Sequence, residues 1–276
     1  MGWMFATAGA AGVLVFSQEA MQAASAAAAV FVNGVMPALF PMMVFSRLLP
    51  AGGGFVQAAL FGFASGSPAA AQRLRLAALP GWQTEKLAAL TGVMSPLFFT
   101  GTLAGWMQNA ANGWRLLAVH WAAAIVTTLL WKPSAAPLGG KAASLPQEPF
   151  LQRLPMAIGQ AAQALLAVCG AMMLFSILAA LVRTGLASLF PAWTAAHEME
   201  MAVLWALMEI GGGASAVLKL RPQPPLALLS ALCGFGGISI WMQNLLFVGE
   251  SIRPVRLLGM RMLHGAIAYG LGLMLF

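Results

Sequence analysis

One carboxylate stands apart from the rest of the chain. Glu209, in "LWALMEIGGGAS", has no other formal charge near it, since 201–208 and 210–218 are all uncharged. A charge set inside an apolar segment costs about 3 kcal/mol on insertion scales and is a functional group by default. Such a carboxylate can bind a proton or Na⁺ and couple it to the movement of a solute, or it can pair with a cation. The plainer alternative places Glu209 near an interface, since Glu198 and Glu200 lie only two to three turns away. Five serines offer a second kind of chemistry. Ser65, Ser67, Ser95, Ser215 and Ser239 are small hydroxyls in Gly- or Pro-containing stretches expected to interrupt helices. Where half-helices end inside a membrane protein, their free N–H groups and positive dipole ends suit an anion, and neighbouring hydroxyls add donors. The same small residues also let membrane helices pack closely. Gln243 lies one helical turn after Ser239 on the same face, so it is a substrate contact or an interhelical hydrogen bond. Asn244 beside it also needs a partner.

Other chemistries find little support. Asp is absent from the chain, and no nucleophile–base arrangement, phosphate loop or metal-ligand spacing occurs, so no enzyme is expected. Cys169 and Cys233 are isolated in apolar runs and predict neither a disulfide nor a metal framework. His120 and His264 are explained by packing as readily as by proton relay. The net charge of +7 comes from basic residues placed singly or in pairs, which excludes a nucleic-acid-binding patch. Arg73, Arg75, Lys219 and Arg221 read as snorkelling cations that anchor chain ends at the headgroup layer rather than as substrate ligands.

The elements that must position these groups are membrane helices. Hydrophobic residues make up 61% of the chain and charged ones 8%, against about 25% charged in a soluble domain. Residues 1–18, 20–46, 87–114, 154–182 and 222–249 carry no formal charge. A crossing helix needs about 20 apolar residues, so the chain predicts a polytopic all-helical protein of the plasma membrane with the bilayer as its first partner. "MGWMFATAGAAGVLVF" lacks a basic n-region and is expected to stay as a short first helix. "WKPSAAPLGGKAASLPQEP", 131–149, is the one long Pro/Gly/Ser/Ala stretch, a surface linker. Lys132, Lys141 and Arg153 around it point to a cytoplasmic loop.

The linker divides a single membrane domain, 1–276, into two halves, 20–131 and 150–276. A shift of 144 aligns Gly92 with Gly236, Ser95 with Ser239, Gly105 with Gly249 and His120 with His264. A shift of 146 aligns "SGSPAAAQRLR" with "GGGASAVLKLR" at 211–221, which predicts a break among residues 211–215 opposite that at 65–68. "WMQN" also occurs twice, at 106–109 and 241–244, but out of this register, and is taken as coincidence. Paired repeats with interrupted hydrophobic segments point to a secondary transporter, with the two repeats inverted and each carrying a re-entrant hairpin. Exposed backbone in hydrocarbon is tolerated only where it is buried in protein or lines a cavity.

"GFASGSPAAAQ" (62–72), "MSPLFFTG" (94–101), "GFGGISIWMQ" (234–243) and "RMLHG" (261–265), with "NGVMPALFPMMVFSRLL" (33–49) before them, resemble the YlbJ-type sporulation integral membrane proteins of the nucleoside-transporter-like Gate superfamily. The resemblance implies re-entrant hairpins around a central site, and a dipicolinate-like carboxylate or a nucleoside-like solute. Ser67 stands where that family's Ser-Gly-Tyr-Pro motif has Tyr, and Gln72 where it has Lys. Gly92, Val93 and Met94 precede Ser95, where an Asn or Thr is usual.

The sequence thus predicts a secondary transporter of a small polar or anionic metabolite. Ser65, Ser67, Ser95, Ser215, Ser239 and Gln243 are the substrate-binding candidates, Glu209 is the ion-coupling group, and no cofactor is expected beyond a coupling Na⁺ or H⁺. A homo-oligomer fits equally well. The alternative is a non-transporting Gate-type scaffold that works with a partner in envelope or spore assembly, which a dry, sealed repeat interface would favour.

Overall fold

The structure, a computed structural model, describes residues 2–50, 53–77, 79–134, 149–220 and 225–276. Every regular element among them is helical. Most of the 132–149 linker, with Lys141, and also Arg221 lie outside these residues. The first helix α1 (Gly2–Val15) buries none of its side chains, and α2 (Ser17–Val30) runs through a π-helical turn (Phe31–Val35) into α3 (Met36–Leu48) as one long helix. Next come α4 (Gly54–Ser65) and α5 (Ala69–Leu76), then α6 (Gly81–Thr91), a π-helical turn (Phe98–Leu103), α7 (Ala104–Met107) and α8 (Ala110–Leu130). After the linker α9 (Phe150–Leu189) extends about 60 Å, twice the hydrocarbon thickness. It is followed by α10 (Pro191–Ala196), α11 (Glu198–Met208), α12 (Ile210–Lys219), α13 (Leu226–Phe235), α14 (Gly237–Val248) and α15 (Pro254–Leu275). Among the described residues, five stretches are long and apolar enough to cross a membrane: Ser17–Leu48, Ala110–Leu130, Phe150–Leu189, Leu226–Ser251 and Pro254–Leu275.

Two short pairs fold back on themselves. Arg73, near the end of α5, donates to Gln57 Oε1 (2.8 Å) near the start of α4 and to the Pro50 carbonyl (2.7 Å), so α4 and α5 run antiparallel as a hairpin. Arg73 is fully buried, at 0% exposure, rather than snorkelling, because it satisfies those oxygens at the hairpin base. Arg75 and Lys219 are exposed. Helices α11 and α12 pack on each other as a second hairpin. Its break falls at Glu209, two residues before the 211–215 stretch favoured by the sequence alignment. The three glycines are helical there because the Glu209 carboxylate caps α12. Two further segments are interrupted without folding back: α6 stops at Thr91 ahead of residues 92–95, and α13 gives way to α14 at Gly236 and Gly237, which both have positive φ.

Contacts define the two ends of the bundle. At one end Arg153 donates to the Leu48 carbonyl (2.8 Å), Lys86 to the Thr128 carbonyl, and Glu85 holds Arg256. This end therefore gathers the end of α3, the base of the first hairpin, and the ends of α6, α8, α9 and α15 nearest the linker. At the other end Glu19, Arg183, Glu198 and Lys219 line a broad groove, with the Arg183 guanidinium 4.6 Å from the Trp205 ring centre. Apolar clusters fill the space between. One joins the middle of α9 to α3, and another joins α8 to α11, α12 and α13.

Glu85 is the pin of the linker-side end. It accepts from Arg256 Nε (2.8 Å) and Nη2 (2.6 Å), from Trp131 Nε1 and from the Ser134 amide (both 3.2 Å). Glu85→Ala leaves the Arg256 guanidinium without its carboxylate and is expected to cost about 2 kcal/mol. The check is the thermal unfolding midpoint in detergent, where an unchanged value would show that this end holds without the clamp.

Candidate functional site

The four interruptions meet. Gly66, at φ +68°, ends α4, and a Cβ there would run into the Ser95 backbone, so the first hairpin tip can approach the 92–95 break only as glycine. The Ser67 amide donates to the Val93 carbonyl (2.6 Å), and the Ser67–Pro68 peptide is cis. In the second half a Cβ on Gly237 would lie 3.1 Å from the Ala206 carbonyl and 3.3 Å from the Ile210 amide, so that hairpin tip rests on the 236–237 break. Across the halves, the Ser67 hydroxyl donates to Asn244 Oδ1 on α14. Asn244, which the sequence marked only as needing a partner, therefore joins the first tip to the second broken span.

Between these four points lies a cavity of about 60 Å³. Its polar lining is Ser67, Ser95, Glu209 and Gln243; its apolar walls include Met94, Phe98, Met172 and Ile240, with Gly34 and Ala38 from the long first span. One water needs roughly 10–15 Å³ on this measure, so the space admits a few waters or a very small solute. That is well below the roughly 300–1,000 Å³ of pockets that enclose drug-sized ligands, so this conformation has no room for a large solute.

Each polar group is held by its element. Glu209 is 2% exposed and caps α12, its Oε1 accepting from the Gly211 amide (2.8 Å) and its Oε2 from the Gly212 amide (2.7 Å), with Ser176 of α9 beside it. Ser95 Oγ accepts from the Leu97 amide (3.3 Å) where the next helical segment begins. Gln243 donates through Nε2 to Ser239 Oγ (3.1 Å), so Ser239 supports Gln243 from behind and does not line the cavity. Ser65 is buried one residue before the tip and makes only a long 3.4 Å bond to the Gly66 carbonyl. Ser215, expected among the site hydroxyls, lies inside α12 and off the cavity, because the break sits at Glu209. The second "WMQN" is buried at Gln243 and Asn244, whereas Gln108 of the first is exposed and ends α7 at φ +50°, so the two copies occupy different surroundings.

Behind the 92–95 break stands a group that sequence reasoning did not single out. Arg261 of α15 is 2% exposed, and its Nε and Nη2 have no hydrogen-bond partner among the described residues. A Cβ on Gly92 would lie 2.5 Å from its Nη2, so the guanidinium sits against the carboxyl end of α6, the negative end of that helix dipole. Its only sequence signal is a lone charge one turn before His264. Next to it the His120 and His264 rings stack, with centres 4.5 Å apart. His120 Nε2 accepts from the Met94 amide (2.9 Å), which places its ring hydrogen on Nδ1; His264 Nε2 donates to the His120 carbonyl (3.1 Å). The histidines thus brace the break, a packing role. No group of three or more His, Cys or Glu gathers to hold a metal ion among the described residues.

Fold and site together define a helical membrane protein with interrupted segments around a buried polar centre. No family model, curated protein or solved structure matches the chain.

The Ser67–Asn244 bond ties the halves at the site, as Glu85–Arg256 does at the linker-side end, and can be measured as a coupling. Ser67→Ala and Asn244→Ala each leave a buried partner unsatisfied and should each lower stability by about 1–2 kcal/mol. The double variant should cost less than their sum by about 1 kcal/mol. Strictly additive losses in detergent unfolding would mean that the bond does not join the halves.

Proposed function

We propose that this protein is a secondary transporter of a small polar or anionic solute, held where two hairpin tips and two broken spans converge. The observation that carries this reading is the cavity itself, lined by Ser67, Ser95 and Glu209 from three interruptions and by Gln243 of α14, the helix that follows the fourth. Interrupted helices that meet at mid-membrane around polar groups are the way transporter folds build solute sites.

The arrangement of the halves supports inverted repeats. The order of long helix, hairpin, interrupted span and closing helix recurs as α2–α3, α4–α5, α6–α7, α8 and as α9, α11–α12, α13–α14, α15. The first hairpin has its base at the linker-side end with Arg73, the second at the opposite end with Lys219 and Glu198. Equivalent hairpins thus approach from opposite faces, as alternating access requires. Arg47, Arg73, Arg75, Lys86, Lys132, Arg153, Arg253 and Arg256 crowd the linker-side end with Glu85 and Glu250, whereas the other end has Arg115, Arg183 and Lys219 with Glu19, Glu198 and Glu200. The positive-inside rule then faces the linker to the cytoplasm of a multi-pass plasma-membrane protein. Membership of the nucleoside-transporter-like Gate superfamily, suggested by the sequence motifs, is consistent with this layout.

Pro68, Ser95 and Glu209 each stand at the amino end of the segment that follows, so three positive helix ends point into the cavity. Glu209 neutralises one of them, which leaves a site for a polar or anionic group and one carboxylate able to carry the coupling ion. The test is uptake by proteoliposomes offered a panel of carboxylates and nucleosides under an imposed Na⁺ or proton gradient. Concentrative uptake of at least one is expected, with Glu209→Gln abolishing accumulation and Ser95→Leu blocking uptake by filling the cavity; each variant also loses one acceptor of a backbone amide, so its melting temperature falls while it still folds. Uptake unchanged in both variants would remove the cavity from the transport path.

A further inference from the structure

A second cavity shares a wall with the first. A groove of about 710 Å³ runs between the long first span and the segment 97–106, and Gly34 and Ala38 line both it and the central cavity. Gly34 contributes no side chain and Ala38 only a methyl. On the facing segment, Phe98 borders the cavity while its neighbour Leu97 borders the groove. Little more than one layer of small groups therefore separates the two spaces.

Direction gives the groove its meaning. The two segments run antiparallel, with Gly34 set opposite Thr102: a Cβ on Gly34 would lie 3.4 Å from the Thr102 hydroxyl. From Ala38 at the level of the cavity to Ala29 the groove follows the helix for about 13 Å, close to half the hydrocarbon thickness. It leads away from the linker, toward the end that carries Glu19. Its interior is open: a Cβ on Gly101 or Gly105 would meet nothing within 4 Å. Asn33 lies on it at the middle of the 32-residue span, exposed and without a side-chain hydrogen bond among the described residues. An amide at that depth needs water or a polar solute, since hydrocarbon offers it no partner. Finally, the wall is flanked by the two π-helical turns, Phe31–Val35 and Phe98–Leu103, which touch each other. π-helical turns are rare and recur at functional sites.

We propose that this groove is the entrance by which solute reaches the central cavity from the face opposite the linker, with Asn33 and Thr102 as its polar lining and the two π-helical turns as the hinge of the Gly34–Ala38 wall. The proposal rests on the transport reading and adds to it a route and a side. It needs no knowledge of the substrate to be tested. In a background of Cys169→Ala and Cys233→Ala, single variants Gly101→Cys, Ser95→Cys and the lipid-facing control Leu166→Cys are treated, in vesicles of known orientation, with a small charged methanethiosulfonate that does not cross membranes. Gly101→Cys should react from the face opposite the linker at least about tenfold faster than Leu166→Cys, and Ser95→Cys more slowly from the same face. Adding Gly101→Trp, which has room for the ring, should slow labelling of Ser95→Cys by about tenfold or more without changing the melting temperature. If Gly101→Cys reacts no faster than the control, the groove holds lipid tails and the proposal falls. It falls equally if Ser95→Cys is unreactive from that face or keeps its rate behind the tryptophan. Uptake by the parent in the same vesicles separates failure of this route from failure of the transport reading.

Discussion

The structure depends on one requirement: backbone polar groups released by interrupted helices must find partners inside the protein, because hydrocarbon offers none. Four segments break, and at three of them the freed groups find partners: two from other elements and one from a side chain that caps its own helix. The Ser67 amide bonds the Val93 carbonyl, the Met94 amide bonds His120, and the Gly211 and Gly212 amides bond Glu209. Remove one break and its neighbour is left with unpaired groups, each worth about 1–3 kcal/mol when buried. The first hairpin tip and the 92–95 break therefore stabilise each other, and their meeting point is where a few polar side chains can line a largely apolar cavity at low cost.

The same requirement explains the buried charges. Glu209 lies at the amino end of α12 and Arg261 against the carboxyl end of α6, so each is opposite in sign to the dipole end it faces. Both serve the broken backbone. Glu209 differs in that it also lines the cavity, and a group with both duties can couple a bound cation to the position of a hairpin tip. Arg261 lies behind the break, where it influences the site through the backbone that it steadies.

The centre is also narrow. Ser67, Ser95, Glu209 and Gln243 line a cavity of only about 60 Å³. Its thinnest boundary is made of glycine and alanine. Elsewhere the walls are Met94, Phe98, Met172 and Ile240, whose packing resists displacement. Conformational change has its least costly path where the fewest packed atoms must move.

The sequence alone was enough for the class of protein and for most of its interruptions. Long uncharged runs can be stable only in a bilayer, and glycine, serine and proline at 65–68, 92–95 and 236–237 mark breaks because helix propensity is a local property. Glu209 was conspicuous for the same kind of reason: a lone charge in an apolar run needs no neighbours to be noticed. Tertiary structure decided what the breaks face. It moved the second hairpin tip from the 211–215 stretch to Glu209, because a carboxylate that caps α12 lets the three glycines stay helical, and Ser215 left the site with that shift. It placed Ser239 behind Gln243, paired Ser67 with Asn244 at a separation of 177 residues, and set Arg261 against Gly92. Those contacts depend on which helices lie side by side and how they are rotated, and that is fixed by the packing of the whole bundle rather than by any stretch of the chain.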